Sequence, residues 1–334
     1  MSEHLKQKKY TWLVTGVAGF IGSHLLETLL KLDQKVIGLD NFLTGNEKNL
    51  ELVKKKVGDQ VWRNFSFLYG DICSPEDCAK AISGVHFVLH QAALGSVPRS
   101  VADPKLSTKN NINGFIEILL AAKNEGVKRF VYASSSSVYG DITDKVKVEH
   151  RTGKVLSPYA ATKKANELYS DAFSNVYKID IIGLRYFNVF GARQNPHGEY
   201  AAVIPRWLDT LVQGKQCVIY GDGETSRDFC FIDNVVQANI LSAFAEKEAC
   251  NTAYNIAFGK TTTLNQLHGY LVSELKKHTL KNPLIEDPLY QDFRAGDVKS
   301  SLADIEAAKK NLGYDPKMSP EDGFKKVVED FLNC

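Results

Sequence analysis

Short runs of β-branched and aromatic residues alternate with longer amphipathic stretches along the first 185 residues of the chain. The short runs have the length and composition of buried strands, and six of them are predicted, at 10–15, 35–40, 65–69, 86–90, 129–133 and 180–184. The stretches between them follow the helical period, and over 20–32 apolar residues recur every three or four positions. Because parallel strands need crossover connections, this alternation predicts a parallel sheet with helices on both faces.

Three short motifs predict where helices begin. Ser74-Pro75 and Ser157-Pro158 each place a capping hydroxyl before a proline at the first helical position. Thr263-Leu-Asn-Gln266 has the spacing of a capping box. Together with the alternation of elements, these signals predict the α/β class and a doubly wound parallel sheet.

Beyond Arg185 the alternation of strand and helix loosens. Residues 191–200 are polar and contain glycine, 202–214 follow the helical period, and Gly221-Asp-Gly223 predicts a turn. We therefore expect a nucleotide-binding domain over 1–188. A smaller C-terminal α/β lobe over 189–334, partly interleaved with the first domain, is expected to bind substrate.

Composition excludes several classes of protein. The chain carries 41 Lys and Arg against 39 Asp and Glu, and its basic stretches are short, which disfavours nucleic acid and membrane surfaces as partners. The first ten residues lack an apolar run, and no later run reaches the ~20 residues of a membrane span, so a cytoplasmic location is expected. The six cysteines form no C-x-x-C pair and no metal-ligand spacing, so no metal site is predicted.

Three glycines follow the first predicted strand, in Thr15-Gly-Val-Ala-Gly-Phe-Ile-Gly22, and lead into a helix. Glycines allow the backbone to approach a pyrophosphate, and the start of a helix offers free N–H groups and a positive dipole end. The second strand ends at Asp40, 18 residues past Gly22, where a carboxylate accepts hydrogen bonds from an adenosine ribose. Strand, glycine turn, helix, strand and acid together predict a dinucleotide site.

The acid also bears on which dinucleotide is bound. Asp40 would repel a 2′-phosphate, which favours NAD over NADP. A plain turn residue ahead of Asn41 is the alternative role for Asp40. Asp71-Ile72 is placed to contact the adenine, and a turn is again the alternative.

A tyrosine and a lysine stand four residues apart in Tyr159-Ala-Ala-Thr-Lys163, which places both on one helical face. For the phenol to act as a base near neutral pH, its pKa must fall by about 3 units, and one nearby charge typically supplies 1–3 units. A second positive group is therefore needed, and oxidised nicotinamide is a candidate. The serine run 134–137 precedes this pair and offers a hydroxyl between the tyrosine and a substrate oxygen.

Nine segments together resemble the extended short-chain dehydrogenase/reductase family, which has a Rossmann-like fold. They are Thr15-Gly-Val-Ala-Gly-Phe-Ile-Gly22, Asp40-Asn41, Gly70-Asp71-Ile72, His90-Gln-Ala-Ala93, Asn111-Ile-Asn-Gly114, Ser135-Ser-Ser-Val-Tyr-Gly140, Tyr159-x-x-x-Lys163, Arg185-Tyr-Phe-Asn-Val-Phe-Gly191 and Arg294-Ala-Gly-Asp297. Within the family, 90–99 and 201–205 resemble the nucleotide-sugar 4-epimerases that prefer N-acetylated UDP-hexoses.

The resemblance implies a role for each matching residue. Tyr159 would be the base, Lys163 its partner and a ribose ligand, and Ser135 the hydroxyl that orients the 4-oxygen. The implied NAD contacts are Gly16, Gly19, Phe20, Ile21, Gly22, Asp40, Asn41, Thr44, Gly45, Asp71, Ile72, Gln91, Ala92, Ala93, Asn111, Tyr159, Lys163 and Tyr186. The implied contacts to the UDP-sugar are Ser96, Ser135, Ser136, Tyr159, Asn188, Ala202, Val203, Tyr220, Arg227, Arg294, Asp297 and Ser301.

Departures from relatives narrow the chemistry that the resemblance implies. Dehydratases of the family carry Asp-Glu after the catalytic Ser or Thr, and decarboxylases carry a Glu, whereas this chain has Ser136 and Ser137. What remains is transient oxidation at carbon 4 with return of the hydride to the opposite face. Ser301 stands where epimerases restricted to non-acetylated sugars carry a tyrosine, which leaves room for an acetamido group.

The expected activity is interconversion of UDP-N-acetylglucosamine and UDP-N-acetylgalactosamine with tightly bound NAD. Alternatives are 4-epimerisation of the UDP-N-acetylhexosaminuronic acid, with Arg99 as a cation for the carboxylate, and of UDP-glucose. Two alternatives come from other functional classes: an enzyme that carries out net NAD-dependent oxidation or reduction, and a regulator that only binds NAD. Segments 103–124 and 158–177 resemble the helices of the family's four-helix dimer interface, so a homodimer is expected.

Overall fold

The structure is a computed structural model that describes residue 5 and residues 7–195, 202–278, 287–293 and 300–332. Its strands are Thr11–Thr15 (β1), Lys35–Asp40 (β2), Phe65–Tyr69 (β3), Phe87–His90 (β4), Arg129–Ser135 (β5), Val146–Lys147 (β6), Ile181–Tyr186 (β7), Val189–Phe190 (β8), Val218–Tyr220 (β9), Ser226–Asp228 (β10), Cys230–Phe231 (β11), Thr252–Ile256 (β12), Thr261–Thr263 (β13), Leu289–Gln291 (β14) and Ser300–Ala303 (β15).

The α-helices are Phe20–Lys31 (α1), Glu47–Val57 (α2), Asp59–Trp62 (α3), Pro75–Ile82 (α4), Val97–Ala102 (α5), Pro104–Thr108 (α6), Gly114–Glu125 (α7), Pro158–Tyr177 (α8), Val203–Val212 (α9), Ile232–Ala243 (α10), Leu264–His278 (α11), Glu306–Leu312 (α12) and Pro320–Leu332 (α13). A π-helical segment, Lys109–Asn113, leads into α7, and 3₁₀ turns cover Ser136–Tyr139 and Lys247–Ala249. Among the described helices, none combines the length and the apolar character needed to cross a bilayer.

A parallel sheet of seven strands forms the centre of the molecule, in the order β12-β7-β5-β4-β1-β2-β3. The six predicted strands are confirmed, with ends that differ from the prediction by at most two residues. From β1 the chain adds β2 and β3 on one side of the sheet, and from β4 onward it adds strands on the other side. The boundary between β1 and β4 is therefore the switch point at which open α/β sheets bind their ligands. The doubly wound fold is thus confirmed.

The predicted helix starts are confirmed at the level of single hydrogen bonds. The side chain of Ser74 accepts from the N–H of Asp77, and that of Ser157 accepts from the N–H of Ala160. The capping box closes in both directions, since Thr263 Oγ1 accepts from Gln266 N at 3.1 Å and Gln266 Oε1 accepts from Thr263 N at 3.0 Å.

Segments from the two halves of the sequence exchange strands. The edge strand β12 comes from the C-terminal half and pairs with β7, and the sequence pattern does not predict it. Conversely, β6 from the N-terminal half pairs with β15 in a second, four-stranded sheet of order β13-β10-β15-β6. This interleaving joins the predicted substrate lobe to the central sheet, while the domain boundary near residue 188 stays a prediction.

Two hydrophobic clusters cover the two faces of the central sheet. The larger contains Trp12 and Leu184 of the sheet together with apolar residues of α1, α10 and α13. The smaller contains Phe130 and Tyr132, packed against α4 and α7. Burial of both faces explains why the central strands are apolar runs without alternation, and it leaves the carboxyl ends of the strands to carry the polar site.

Candidate active site

A cleft of about 490 Å³ lies at the carboxyl ends of the central strands. Its walls begin beside Asp40 at the end of β2, pass the glycine turn after β1 and reach Gln91 after β4. Fifteen of the predicted ligand-binding residues line this one cleft: Gly16, Gly19, Phe20, Ile21, Gly22, Asp40, Asn41, Thr44, Gly45, Ile72, Gln91, Ala92, Ala93, Ser96 and Ala202. The fold therefore brings together residues that lie up to 186 positions apart in the sequence.

The glycine turn fits its predicted role at the start of α1. Gly16 has a φ of 67°, and a Cβ there would lie 2.8 Å from the backbone nitrogen of Ala92. A Cβ on Gly22 would lie 2.1 Å from the carbonyl oxygen of Gly16, so a side chain would push α1 away from the turn. Gly19 caps α1 without a side-chain hydrogen bond, so the helix start faces the cleft as a bare anion site.

Asp40 lies at the end of β2, against the glycine turn, and is 8% exposed. Its Oδ2 accepts from Ala18 N at 2.9 Å and its Oδ1 from Phe42 N at 2.8 Å, so the carboxylate ties the glycine turn to the end of β2. Burial raises the pKa of Asp40, and these backbone hydrogen bonds act against that rise. A Cβ on Gly45 would lie 3.0 Å from Asp40 Oδ1, so a larger residue there would crowd the carboxylate.

Asp71 has the turn role that the sequence left open. Its Oδ1 accepts from Cys73 N at 2.8 Å, while its own N–H donates to Asp77 Oδ2 at 3.0 Å. Ile72, not Asp71, lines the cleft. The predicted adenine contact of Asp71 stays a prediction.

The segment after β4 is held by buried side chains. His90 Nδ1 lies 2.8 Å from Thr15 Oγ1, which accepts from Ala92 N at 3.2 Å. Burial lowers the pKa of His90 to about 3, so the ring is neutral at physiological pH. Ser96 adopts a φ of 98°, a strained conformation of the kind that collects at functional sites.

Asn111 is buried beneath the cleft. It lies in the π-helical segment, and its Oδ1 accepts from Leu94 N at 2.7 Å while its Nδ2 donates to Leu94 O at 3.1 Å and to Thr162 Oγ1 at 3.1 Å. The amide therefore joins the cleft wall to α8. Its predicted direct contact with NAD stays a prediction.

The predicted catalytic trio meets where β5 ends and α8 begins. Lys163 Nζ lies 6.0 Å from the centroid of the Tyr159 ring and donates to Ala133 O at 2.7 Å. Burial raises the pKa of Tyr159, an effect that a hydrogen bond with the Ser135 side chain opposes. Burial lowers the pKa of Lys163 to about 8. With Lys163 alone the phenol thus stays protonated at neutral pH, in line with the predicted need for a second positive group.

A buried ion pair, which the sequence analysis missed, lies directly behind this trio. Arg185 holds Glu167 at two points, with Nε 2.8 Å from Oε1 and Nη2 3.0 Å from Oε2. Ser134 Oγ donates to the same Oε1 at 2.7 Å. Since Glu167 lies one helical turn after Lys163 and Ser134 directly precedes Ser135, this network fixes α8 against β5.

The predicted substrate residues come from both halves of the sequence. Arg227 of β10 and Ser301 of β15 are register partners on neighbouring strands. Asn188 has a φ of 32° and donates from Nδ2 to Asp228 O at 3.2 Å, so it lies beside β10. Val203 starts α9 and Tyr220 ends β9, whereas the predicted residues Arg294 and Asp297 fall outside the described residues.

Residues 12–257 match the NAD dependent epimerase/dehydratase family. The chain belongs to this family, and the resemblance to the extended short-chain dehydrogenases/reductases is confirmed.

Relatives of the chain include several UDP-sugar 4-epimerases. A UDP-glucose 4-epimerase of Mycolicibacterium smegmatis is 32% identical over 96% of this chain and 98% of its own. The structure of a UDP-N-acetylglucosamine 4-epimerase from Methanobrevibacter ruminantium M1, in complex with UDP-N-acetylmuramic acid, is 36% identical with a TM-score of 0.88, covering 98% of this chain and 99% of that one. The UDP-glucuronic acid 4-epimerase from Bacillus cereus, solved with UDP-glucuronic acid and NAD, is 29% identical with a TM-score of 0.84, covering 97% and 99%.

Membership of this family confirms NAD as the cofactor. The cleft fits that dinucleotide, because it joins a glycine-lined helix start suited to a pyrophosphate to a buried carboxylate suited to a ribose hydroxyl. Gly16, Gly19, Gly22 and Asp40 are the residues that would hold it.

Proposed function

We propose that the protein is a UDP-N-acetylglucosamine 4-epimerase that interconverts this sugar nucleotide with UDP-N-acetylgalactosamine. The observation that carries the proposal is the meeting of Ser135, Tyr159 and Lys163 where β5 ends and α8 begins. Asn111 joins α8 to Leu94 in the wall of the cleft that is shaped for a dinucleotide. Support for a UDP-sugar comes from the three relatives described above. Each is named after a UDP-sugar substrate, and the two solved structures each hold a UDP-sugar.

Each catalytic side chain has a distinct task in this proposal. Tyr159 accepts the proton of the 4-hydroxyl and later returns it, while the Ser135 hydroxyl orients the same oxygen through its hydrogen bond to the phenol. The Lys163 ammonium, fixed by Ala133 O, stabilises the phenolate. Bound NAD supplies a hydride acceptor and donor for carbon 4.

The serines beside the site support epimerisation over elimination. Ser136 and Ser137 occupy the positions at which dehydrating relatives would carry acids, and they form a 3₁₀ turn whose start is fixed by Ser135 Oγ accepting from Ser137 N at 3.2 Å. Neither side chain can deliver a proton to a leaving hydroxyl as a carboxylic acid can.

The small side chain of Ser301 supports the N-acetylated substrate. Ser301 is partly exposed next to Arg227, whose guanidinium is suited to a diphosphate. In Ser301→Tyr we expect kcat/KM for UDP-N-acetylglucosamine to fall at least about tenfold while UDP-glucose is retained, because a ring fills the space beside the arginine. Ser301→Ala is the control that keeps the space open.

Separation of the sugar nucleotides after incubation tests the substrate assignment. The proposal expects the wild-type protein to convert UDP-N-acetylglucosamine with the largest kcat/KM. A larger value for UDP-glucose, or equal losses on both sugars in Ser301→Tyr, would overturn it.

Arg99 favours a second candidate substrate, the corresponding UDP-N-acetylhexosaminuronic acid. This arginine lines the cleft after the strained Ser96, and a guanidinium is a suitable partner for a sugar carboxylate. Competition between the uronic acid and UDP-N-acetylglucosamine decides between the two, and Arg99→Met should weaken the uronic acid selectively.

The proposed assembly is a homodimer formed through α8 and residues 103–124, which include most of α7. One face of α8 presents an apolar stripe at helical spacing, made of Ala161, Ala165, Leu168, Ala172 and Val176. Leu168 is 61% exposed and Val176 67% exposed, and Val101 of α5 adds a further 63% exposed side chain. A second copy of this chain is the proposed cover for this surface, which would form the predicted four-helix interface.

Leu168→Glu should shift the protein toward monomer, with the dimer dissociation constant rising at least about tenfold, because it places a charge in the middle of the stripe. Sedimentation velocity at several protein concentrations measures this shift. Val212→Glu is the matched control, since Val212 is 48% exposed on α9. A monomeric wild-type protein, or a Leu168→Glu variant as dimeric as the control, would contradict the proposed interface.

A further inference from the structure

Two side-chain amides and one phenol form a closed ring of hydrogen bonds beside the cleft. Tyr186 Oη donates to Gln91 Oε1 at 3.1 Å, and Gln91 Nε2 donates to Asn239 Oδ1 at 3.0 Å. Asn239 Nδ2 closes the ring by donating to Tyr186 Oη at 2.9 Å. The three residues come from β7, the segment after β4 and α10, so the ring joins elements that are distant in the sequence.

Within the ring, Asn239 has both of its N–H groups and its oxygen in hydrogen bonds. Its second Nδ2 proton goes to Val235 O at 2.8 Å, and the residue is completely buried. Because both of its N–H groups and its oxygen are committed, the amide can adopt only one orientation. That orientation dictates the other two, so Gln91 must turn its nitrogen to Asn239 and its oxygen to Tyr186.

The ring joins the cleft wall to the strand position beside Ser135. Gln91 lines the cleft wall, and Tyr186 is the register partner of Ser135 on the neighbouring strand. Burial raises the pKa of Tyr186, so the phenol stays a hydrogen-bond donor at neutral pH. Asn239 itself approaches the cleft only through its two partners, since it is completely buried.

We propose that Asn239 is a positioning residue for dinucleotide binding, which acts by locking the Gln91 amide and the Tyr186 phenol in the orientation that the cofactor meets beside Ser135. Gln91 Nε2 gives one N–H to Asn239, and within the described part of the chain no partner takes the second. That N–H is therefore available to a ligand only while Asn239 holds the amide in place. The inference rests on NAD dependence and is independent of which sugar the enzyme prefers.

The helix offers a matched control for the loss of a buried asparagine. Asn234 also lies on α10, is 2% exposed and binds the backbone of Met318 with both ends of its amide, at 2.8 Å and 3.1 Å. It does not line the cleft. Asn234→Ala therefore reproduces the structural cost of an amide removed from this helix without disturbing the ring.

The test is a calorimetric titration of NAD into protein from which bound nucleotide has been removed. It measures the dissociation constant for NAD. We expect Asn239→Ala to raise the dissociation constant for NAD about tenfold, the equivalent of one lost hydrogen bond, whereas Asn234→Ala lowers thermal stability and changes this constant less than about twofold. If Asn239→Ala does not fold, Asn239→Asp keeps the volume and the acceptor for Gln91, and its expected loss is smaller.

A second titration tests whether Asn239 acts through Gln91. In a Gln91→Ala background, Asn239→Ala should raise the dissociation constant by clearly less than in the wild-type background, since the Gln91 amide is gone and only the Tyr186 phenol still depends on Asn239. An equal loss in both backgrounds would overturn the inference. So would an unchanged constant in the single variant, or equal effects of the Asn234 and Asn239 variants. Failure of the epimerase proposal would leave these NAD constants unaffected.

Discussion

Tyr159→Phe is expected to reduce turnover at least about 10²–10⁴-fold, the range that general base catalysis contributes. Phenylalanine retains the ring beside Lys163 but removes the oxygen that contacts Ser135 and that accepts the proton in the proposed reaction. The UDP-sugar dissociation constant should change by less than about threefold, because the remaining contacts to the nucleotide stay in place.

Tyr177→Phe is the matched control for this substitution. Tyr177 is the last residue of the same helix and is 46% exposed, so its hydroxyl should not affect turnover. Discontinuous assays of both variants, together with calorimetric titration of the UDP-sugar, separate catalysis from binding. Retention of more than about a tenth of wild-type turnover by Tyr159→Phe would contradict the role of the phenol as base.

Glu167→Ala is expected to lower the free energy of unfolding by about 3–5 kcal/mol, because it leaves the Arg185 charge buried without its carboxylate. The two side chains are only 6% and 8% exposed. Burial lowers the pKa of Arg185, and in the wild-type protein the Glu167 carboxylate raises it. Even without that carboxylate an arginine does not lose its proton in a protein, so the guanidinium in the variant stays charged and the cost remains. Urea unfolding at one fixed protein concentration measures the change.

An exposed ion pair provides the control for Glu167. Glu306 lies 2.7 Å from Lys309 with side chains that are 74% and 45% exposed, so Glu306→Ala should cost no more than about 1 kcal/mol. A loss of less than about 1 kcal/mol in Glu167→Ala would show that the buried network contributes little. Since Ser134 shares the Glu167 carboxylate, the variant should also lower turnover without a matching change in KM.

The parts of the site that could be predicted are those encoded over short stretches. The glycine turn, the acid at the end of β2 and the tyrosine–lysine spacing each depend on the geometry of one strand, one turn or one helix. Such local geometry follows from sequence alone. The helix starts at Ser74 and Ser157 are equally local, and their capping hydrogen bonds are confirmed.

Contacts between distant segments could not be predicted in this way. The partners Glu167 and Arg185 lie on α8 and β7, and Gln91 and Asn239 are 148 residues apart. No periodicity or spacing connects such residues, because their meeting depends on the strand order of the sheet. The strand β12 was missed for a related reason, since its pairing with β7 follows 65 residues of looser pattern.

The electrostatic state of Tyr159 also required the structure. The sequence indicates positive groups that lower the pKa of the phenol, but burial in the folded protein raises that pKa. Burial likewise lowers the pKa of Lys163 to about 8, which weakens the assistance that the lysine gives at higher pH. Desolvation depends on packing around the site, which short motifs do not encode.

In the proposed reaction, hydrogen leaves carbon 4 of the sugar and returns to the same carbon on the opposite face. Incubation of the enzyme with UDP-N-acetylglucosamine carrying deuterium at carbon 4, in ordinary water, tests it most directly. We expect a UDP-N-acetylgalactosamine product that retains the deuterium at carbon 4, as measured by mass spectrometry and NMR. Loss of the deuterium to the solvent would contradict transient oxidation at this carbon.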